Sequence, residues 1–430
     1  MKIAGFDIDN AAIFFREFEA LSLEQQLEWQ YRRKWFIAKF HYQNNNFYKS
    51  KIGDHLPNKW EELPIMNKGD YQIDIKRLLS NSYTLKNTYI ANTSGSAGHP
   101  FFYAKNKEAH AITWGLAENR YGWHNITLDS KQARYYGSPL ETTSKIKEVF
   151  KDWVMNRYRF LVFDATDDTF EKHLLIFNKN KFEYVYGYTN SLVLFARFLI
   201  KNQITLKEIC PTITSCISTS ETLTIEDRNL MRLGFGVDVV NEYGVSEAGG
   251  ITAFEDVERN WRLSIETQFI EIVDDNGNIV NNGKEGKILI TDLHNQAMPF
   301  LRYEIGDIGI LNLNKNGLLT LRELTGRTND TILLPSGRKS PGLTFYYVSR
   351  SILESSGVLK EFIIRQTKLD TFIFDIVSDR DLNTKELQQI KQKMKLYLES
   401  GLKLKINRIS SIRRPKSGKL KHFYSEINDQ

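Results

Sequence analysis

The sequence is poor in cysteine and has no long apolar run. Its two cysteines, Cys210 and Cys216, are too few for a disulfide framework or a multi-cysteine zinc site, so reduced thiols are expected. The opening MKIAGFDIDN carries acidic residues where a signal peptide would be apolar, and no segment is long and apolar enough to cross a bilayer. These absences predict a soluble, cytoplasmic protein without a membrane span.

A strong excess of one charge is also lacking. The chain has 58 basic and 52 acidic residues, and the resulting net charge of +6 is scattered along the sequence. A nucleic-acid binder would concentrate its basic residues in a stripe or patch, so no nucleic-acid partner is expected. The mild positive charge suits an anionic small molecule such as a nucleotide, and equally a surface that keeps a protein in solution.

The composition and length indicate a folded protein of two domains. Hydrophobic residues make up 41% and charged residues 26% of the sequence, a composition that argues against disorder. The length of 430 residues exceeds the usual size of one domain. Strand-like and helix-like segments alternate over residues 159–241, which indicates a parallel sheet flanked by helices. Turn sequences then separate apolar strands beyond Phe269, and the last hundred residues combine a hairpin at 362–377 with a charged helix at 384–398.

We therefore predict an α/β fold in two parts. Residues 1–328 would form a large N-terminal domain with mainly parallel sheets flanked by helices and a β-rich subdomain. Residues 329–430 would form a small, mobile α+β domain. Near the N-terminus, a long helix is predicted over residues 23–48, with an apolar stripe that would pack into the core, formed by Leu27, Tyr31, Trp35, Ala38 and Tyr42.

A loop of small residues joins two predicted strands over residues 89–103. It reads Thr93-Ser94-Gly95-Ser96-Ala97-Gly98-His99-Pro100. Its glycines and hydroxyl residues allow backbone N–H and side-chain O–H groups to converge on phosphate oxygens. It lacks the Gly-Lys-Ser/Thr ending of a P-loop, which disfavours a Walker-type NTPase. Taken alone, such a segment is more often an ordinary turn.

Three later segments carry further candidate chemistry. The segment 241–247 places the Tyr243 ring, the Ser246 hydroxyl and the Glu247 carboxylate at a predicted strand end, where α/β sheets bind ligands and where a carboxylate can help to hold Mg²⁺. Asp307 could accept hydrogen bonds from both ribose hydroxyls. Lys419, in a glycine-containing basic loop, could enter a site as a point charge. Each segment alone also has an ordinary structural reading as a surface loop, a turn or a solvated tail.

Together and in this order, the four segments resemble the adenylate-forming superfamily of acyl-CoA synthetases, peptide-synthetase adenylation domains and luciferases. The resemblance is greatest to its phenylacetate–CoA ligase branch, including relatives encoded with capsular-polysaccharide genes, and it covers nearly the whole chain. Leu63-Pro64-Ile65-Met66-Asn67-Lys68 resembles the branch's Leu-Pro-x-x-x-Lys opening, and Tyr184-Val185-Tyr186-Gly187-Tyr188-Thr189 resembles its Gly-Tyr-Pro helix entry. Ser218-Thr219-Ser220-Glu221 is similar to the family's stretch that ends in Glu against the nucleotide base.

The resemblance implies roles for individual residues. The loop at 93–100 would close over the β- and γ-phosphates, Asn241 and Tyr243 would hold adenine, and Asp307 and Arg327 would contact ribose. The implied ATP-binding set is Thr93, Ser94, Gly95, Ser96, Gly98, Ser220, Glu221, Asn241, Tyr243, Gly244, Asp307 and Arg327. The implied catalytic set is Lys419, Glu247 and Ser246, with Glu247 as the Mg²⁺ ligand. Asp330 would lie at or near the hinge between the domains.

The implied reaction joins a carboxylic acid to ATP. A carboxylate is already nucleophilic, so catalysis needs orientation and charge neutralisation more than an acid–base pair. Two positions depart from the family pattern. His99 replaces the usual lysine of the phosphate loop and, with an ordinary pKa near 6.5, is often neutral at pH 7. Ser246 replaces the usual threonine but keeps the hydroxyl.

Three functions stay open at this point. The first is an acyl-CoA ligase that uses ATP, Mg²⁺ and coenzyme A. The second passes the acyl group to an amine, giving an amide in cell-surface polysaccharide biosynthesis. The third is a non-catalytic nucleotide-binding homologue, which would have no reason to keep Lys419. The acid itself cannot be read from the sequence, although Tyr136, Tyr186 and Tyr188 are candidate walls of its pocket, and a homodimer is left open.

Overall fold

A computed structural model of the chain describes residues 6–71, 73–93, 101–136, 149–160, 167–327, 331–337, 339–341, 345, 348, 359–413 and 423–427. They form two compact units. The described residues through Ile305, together with Ile310–Glu323, make up the larger unit. Gly306–Gly309 and the described residues from Leu324 onward make up the smaller one. The domain boundary predicted between residues 328 and 329 falls outside the described residues and stays a prediction.

The helices and strands follow one another over most of the chain. The helices are α1 (Ile8–Glu19), α2 (Leu23–Asn44), α3 (Asn46–Ile52), α4 (Ile75–Leu78), α5 (Lys107–Gly122), α6 (Asp167–Lys179), α7 (Thr189–Lys201), α8 (Leu206–Ile209), α9 (Ile225–Phe235) and α10 (Thr384–Tyr397). The strands of the larger unit are β1 (Met66–Asn67), β2 (Tyr89–Thr93), β3 (Phe101–Lys105), β4 (Gln132–Tyr135), β5 (Arg157–Phe160), β6 (Tyr184–Tyr188), β7 (Ser215–Thr219), β8 (Asp238–Val245), β9 (Gly250–Glu255), β10 (Trp261–Leu263), β11 (Gln268–Val273) and β12 (Glu285–Asp292). Next come β13 (Tyr303–Leu313), β14 (Leu319–Arg327), β15 (Thr331–Leu333), β16 (Lys339–Pro341), β17 (Leu359–Lys368), β18 (Thr371–Ser378), β19 (Lys403–Arg408) and β20 (Phe423–Ser425).

A twelve-stranded sheet organises the larger unit. Its order is β11-β12-β13-β14-β10-β9-β8-β7-β6-β4-β5, with β1 added beside β13. Five neighbouring strands, in the sheet order β5-β4-β6-β7-β8, are parallel to one another. Strands β9 and β10 continue the sheet in antiparallel pairs. The alternation of strands and helices over residues 159–241 therefore correctly predicted the parallel part. The α/β fold class with a further β-rich part is confirmed.

Both faces of the parallel part are covered, as parallel sheets require. One face packs against α6, α7 and α9 through an apolar cluster that includes Phe160, Phe177, Val185, Phe195 and Met231. The other face packs against α1 and α5 through a second cluster, which includes Phe15, Leu116 and Ile217. Cys210 and Cys216 are both buried and free. Among the described residues, no helix is both long and apolar enough to span a membrane.

The first long helix differs from its prediction in two ways. It ends at Asn44, and Asn45 caps a separate α3 by accepting a hydrogen bond from the Tyr48 N–H. The predicted apolar stripe is also partly wrong, because Leu27 and Tyr31 are exposed.

The buried face of α2 is instead partly polar, because residues distant in sequence supply hydrogen-bond acceptors and an aromatic ring for its polar side chains. Gln30 donates to the carbonyls of Ile265 and Gln268. The Lys34 ammonium lies 3.8 Å from the centre of the Phe269 ring. The side chains of Gln30 and Lys34 can therefore be buried, because hydrogen bonds and a cation–π contact replace part of their interaction with water.

The smaller unit has its own sheet and core. Its sheet order is β19-β18-β17-β20, in which β17 and β18 form an antiparallel hairpin and the outer strands are parallel to their neighbours. Helix α10 begins with a capping box between Asn383 and Glu386. It packs Ile390 and Met394 against the strand residues Ile364, Phe372 and Phe374. The hairpin predicted at 362–377 and the charged helix predicted at 384–398 are confirmed.

The larger unit should lose stability in mild acid because two buried histidines must stay neutral. Burial lowers the pKa of His41 and of His294 to about 4, whereas an unfolded histidine titrates near 6.5. Protonation therefore favours unfolding, so this stability is present above about pH 6.5 and is lost as the pH falls towards about 4. At pH 5 each histidine should lower the free energy of unfolding by about 2 kcal/mol.

Urea unfolding followed by tryptophan fluorescence at pH 7 and pH 5 measures this loss, since all 7 tryptophans lie in the larger unit. The His41→Gln variant should show a pH difference about 2 kcal/mol smaller than that of the wild type. His55→Gln, at an exposed histidine, serves as the control and should leave the difference unchanged. An unaltered pH difference in His41→Gln would show that its burial is not the cause.

Candidate active site

The parallel strands bring the predicted site residues to one edge of the sheet. Strands β4, β6, β7 and β8 run in the same direction, so their carboxyl ends lie side by side. Tyr188 at the end of β6 is in register with Thr219 at the end of β7, and Thr219 is in register with Glu242 of β8. Ligands of open α/β sheets bind at this edge.

The end of β7 carries an unusual backbone conformation. Ser220 has a φ of +72°, a left-handed conformation that non-glycine residues rarely adopt and that often marks functional sites. The next turn is tied to β6, because the Thr189 hydroxyl donates to the Glu221 carbonyl over 3.1 Å and shares a 2.7 Å hydrogen bond with Ser218. Ser220 and Glu221, both half-buried, are therefore held at the predicted nucleotide side of the edge.

The end of β8 divides its side chains between the two sheet faces. Asn241 is half-buried, and its backbone N–H donates to the Glu255 carboxylate over 3.0 Å. Tyr243 lies two residues further along the same face and packs edge-on against Trp261, with ring centres 6.2 Å apart. Gly244 must stay small, since a Cβ there would come within 2.9 Å of the Gly250 carbonyl oxygen.

Beyond β8, the chain presents a hydroxyl and a carboxylate. Ser246 is exposed and Glu247 is half-buried. The Tyr303 hydroxyl lies 3.3 Å from Glu247 and donates to it. Lys105 is fully buried near this carboxylate; burial lowers the pKa of Lys105, and the charges of Asp292 and Glu247 oppose that shift. Lys105 is a cation of this region that the sequence analysis missed.

The structure describes only some of the remaining predicted site residues. Asp307 is buried on β13. The backbone of Thr93 ends β2 in register with Phe101 of β3, which confirms the two predicted strands, and Arg327 ends β14. Ser94, Gly95, Ser96, Gly98, His99, Asp330 and Lys419 lie outside the described residues, as do the side chains of Thr93 and Arg327. Their assigned roles stay predictions.

The predicted acyl-pocket tyrosines do meet. The rings of Tyr136 and Tyr188 have centres 4.1 Å apart, and those of Tyr136 and Tyr186 are stacked at 6.1 Å. Beneath them the structure adds a polar group that the sequence analysis missed, Glu242. Its carboxylate accepts hydrogen bonds from the hydroxyls of Tyr186, over 2.9 Å, and of Tyr121 on α5, over 2.8 Å.

The Glu242 carboxyl is buried. Burial raises its pKa, and hydrogen bonds from Tyr121, Thr219 and Tyr186 oppose that rise. Its only sequence signal was a carboxylate inside a predicted strand, next to Asn241. The burial of this carboxylate is explained only by the tyrosine hydroxyls that donate hydrogen bonds to it in the folded structure.

The donor set suits a metal ion that is shared with a ligand. Within the described ranges, no cluster of three or more histidine, cysteine or carboxylate side chains could hold a metal alone. Mg²⁺ commonly takes one or two carboxylates and completes its shell with phosphate and water oxygens. The half-buried Glu247 fits that requirement as a single protein ligand.

The architecture defines a class of protein. It has the fold of a solved 2-hydroxyisobutyryl-CoA ligase in the postadenylation state in complex with 2-HIB-AMP, with a TM-score of 0.70 and 13% identity, covering 92% of this chain and 88% of that one. It is also similar to the amide bond synthetase McbA from Marinactinospora thermotolerans, with a TM-score of 0.53 and 14% identity over 77% of this chain and 67% of that one. The fold is that of the adenylate-forming ligases.

Sequence comparison narrows this class. The chain is 22% identical over 380 residues to protein CapK of Staphylococcus aureus, covering 85% of this chain and 80% of that protein. A segment of 112 residues is 31% identical to phenylacetate-coenzyme A ligase of Aromatoleum evansii, covering 25% of this chain and 26% of the ligase. No family model matches the sequence. The chain is thus similar in sequence to CapK and, over one segment, to phenylacetate–CoA ligase, and it has the fold of adenylate-forming ligases, so the predicted resemblance is confirmed.

Close pairing of β6 with β4 sets the position of the candidate acyl pocket. A Cβ added at Gly187 would lie 2.5 Å from the Tyr135 Cβ and 2.6 Å from its carbonyl oxygen. Gly187→Ala should therefore force these strands apart and lower the free energy of unfolding by about 1–3 kcal/mol. Urea unfolding followed by tryptophan fluorescence measures the change.

Gly122→Ala is the matched control, because no atom lies within 4 Å of the added Cβ. It places alanine at the last residue of α5 and should leave stability unchanged or raise it slightly. Equal stability of Gly187→Ala and wild type would contradict the close strand approach.

Proposed function

We propose that this protein activates a carboxylic acid with ATP, forming an acyl-adenylate and releasing pyrophosphate, and then transfers the acyl group to coenzyme A. The observation that carries the proposal is the convergence of Ser220, Glu221, Ser246 and Glu247 at the carboxyl edge of the parallel sheet. That edge belongs to a fold shared with a ligase solved with an acyl-adenylate.

The arrangement suits in-line attack at a phosphorus atom. The acid would lie beside Tyr136, Tyr186 and Tyr188, while the nucleotide would lie along the ends of β7 and β8. The exposed Ser246 hydroxyl can donate to an oxygen of the α-phosphate, and no protein base is needed because the attacking carboxylate is already ionised. Orientation and charge neutralisation would then supply most of the catalysis.

Glu247 would hold Mg²⁺. When bound, the ion would neutralise negative charge on the phosphate oxygens as the pyrophosphate leaves. The Tyr303 hydroxyl, 3.3 Å from Glu247, would hold this carboxylate in one orientation. In this proposal Lys419 approaches the acid and the α-phosphate during adenylation, and the domain that carries it moves afterwards to admit the acceptor. Asp307 and Arg327 take the ribose, and Asn241 and Tyr243 take adenine.

An amine is the second candidate acceptor. The same fold is found in the amide bond synthetase McbA, and the extended similarity to CapK supports a relation to capsule polysaccharide biosynthesis. Both candidates share the adenylation half-reaction and differ only in the group that attacks the acyl-adenylate. They are therefore separated by the acceptor that accelerates turnover.

Incubation with ATP, Mg²⁺ and a panel of carboxylic acids should release pyrophosphate only when a suitable acid is present. Acceleration by coenzyme A supports the acyl-CoA ligase, whereas acceleration by an amine but not by coenzyme A supports the amide ligase. ATP binding without release for any acid would contradict both and favour a non-catalytic nucleotide-binding protein. Lys419→Ala should lose acid-dependent release and keep ATP binding, and normal release by this variant would refute its role.

Replacing the proposed Mg²⁺ ligand should slow adenylation while the protein stays folded. Glu247→Gln keeps the side-chain volume but removes its charge, so the rate of pyrophosphate release should fall by about 100-fold or more at saturating ATP. Glu258→Gln is the control, because Glu258 is exposed in the turn between β9 and β10. Equal rates for Glu247→Gln and the control would exclude Glu247 from the site.

A further inference from the structure

An arginine lies beneath the tyrosines of the candidate acyl pocket. Arg134 is on β4, in register with Tyr186 of β6. Its guanidinium carbon lies 4.4 Å from the centre of the Tyr136 ring and 4.9 Å from that of Tyr186. The two rings therefore hold the cation in place by stacking, which leaves its N–H groups to bind in the plane of the guanidinium.

Few of those N–H groups are satisfied. A guanidinium has five N–H donors, and among the described residues the one hydrogen bond of Arg134 joins Nη1 to the Gln132 side-chain oxygen over 3.2 Å. Its Nε is buried without a partner in the described structure. Burying a charged donor without an acceptor is costly, so this position favours an added anionic partner.

The described carboxylates nearby are already engaged. Asp152 pairs with two other arginines of the sheet edge, Arg157 and Arg159, the latter over 2.9 Å. Glu242 accepts from the hydroxyls of Tyr121 and Tyr186. Among the described residues Arg134 makes no ion pair, although its positive charge helps to oppose the rise that burial causes in the pKa of Glu242.

Arg134 lies deeper in the sheet than the strand ends where the substrate carboxylate would react with ATP. It lies two residues before Tyr136, and a strand rises about 3.3 Å per residue, so Arg134 is about 7 Å deeper than the edge where the nucleotide would bind. A group bound there belongs to the far end of the acid. Arg134 as a whole is half-buried, and its Nε is buried.

We propose that Arg134 determines specificity by binding a second carboxylate at the far end of the substrate, so that the preferred acids are dicarboxylic acids. This inference rests on the proposed adenylation activity. The two oxygens of a carboxylate match the fork of guanidinium N–H groups, and the stacked tyrosines exclude water around that pair. Binding the second carboxylate would leave the first one free to attack ATP at the strand ends.

Matched pairs of acids test the proposal. We would measure kcat/KM for pyrophosphate release with phenylacetate against 4-carboxyphenylacetate, and with pentanoate against pentanedioate. The wild type should prefer the diacid of a pair by about tenfold to a hundredfold, the range expected for hydrogen bonds to a charged group. Arg134→Met replaces the guanidinium with an apolar side chain of similar length against the tyrosines. It should remove this preference by raising the KM for the diacid.

Two further variants separate binding from folding. Arg134→Lys keeps a charge and should recover part of the preference. Arg262→Met is the matched control, because the Arg262 guanidinium likewise stacks on an aromatic ring, Trp123, at 4.6 Å on the same sheet but outside the pocket. It should keep the full diacid preference, and a urea-unfolding curve of Arg134→Met equal to that of the wild type would show that this variant is folded.

The outcomes distinguish this inference from the proposed function. Pyrophosphate release with equal kcat/KM for both acids of every pair overturns the role of Arg134 and leaves adenylation standing. So does an intact diacid preference in Arg134→Met, or a preference for 4-hydroxyphenylacetate over 4-carboxyphenylacetate. Absence of release with every acid and every variant overturns the proposed function, and this inference with it.

Discussion

The parallel pairing of β4, β6, β7 and β8 is the constraint on which the candidate site depends. Parallel strands end at the same edge, so residues from separate segments, such as Tyr188, Thr219 and Glu242, lie in register beside one another. The pairing is close, and Gly187 permits it because any Cβ there would collide with Tyr135. The left-handed conformation of Ser220 then turns the chain sharply where β7 ends. The position of the candidate site at this edge depends on the sheet as much as on any single motif.

The sheet face beneath that edge is more polar than a purely structural interior needs to be. Glu242 is buried with two tyrosine hydroxyls as donors, and Arg134 contacts the rings of Tyr136 and Tyr186 with its Nε unsatisfied within the described structure. Buried polar groups of this kind cost stability unless they are paired. Their concentration below Tyr136 and Tyr186 suggests that substrate recognition, rather than packing, explains their presence.

Elsewhere in the larger unit, buried charges have a structural role. Arg302 is almost completely buried with a φ of +44°, forms an ion pair with Glu271 and donates to the carbonyls of Glu61 and Leu63. Trp60 also donates to Glu271. This network ties the segment before β1 to the large sheet. Asp307, the candidate ribose ligand, lies five residues after Arg302, so one short segment carries both a structural anchor and a candidate site residue.

The sequence by itself determined the fold class, the resemblance to adenylate-forming ligases and several helices and strands of both units, because periodicity, turns and motif order are local properties. It also predicted which strand ends would carry polar residues. Only the tertiary structure decided which side of α2 is buried, since Gln30 and Lys34 become acceptable in the interior through partners more than 200 residues away. The same holds for Arg134 and Glu242. Their significance lies in the tyrosines and the missing ion pair around them, and such relations arise only when separate strands are brought together.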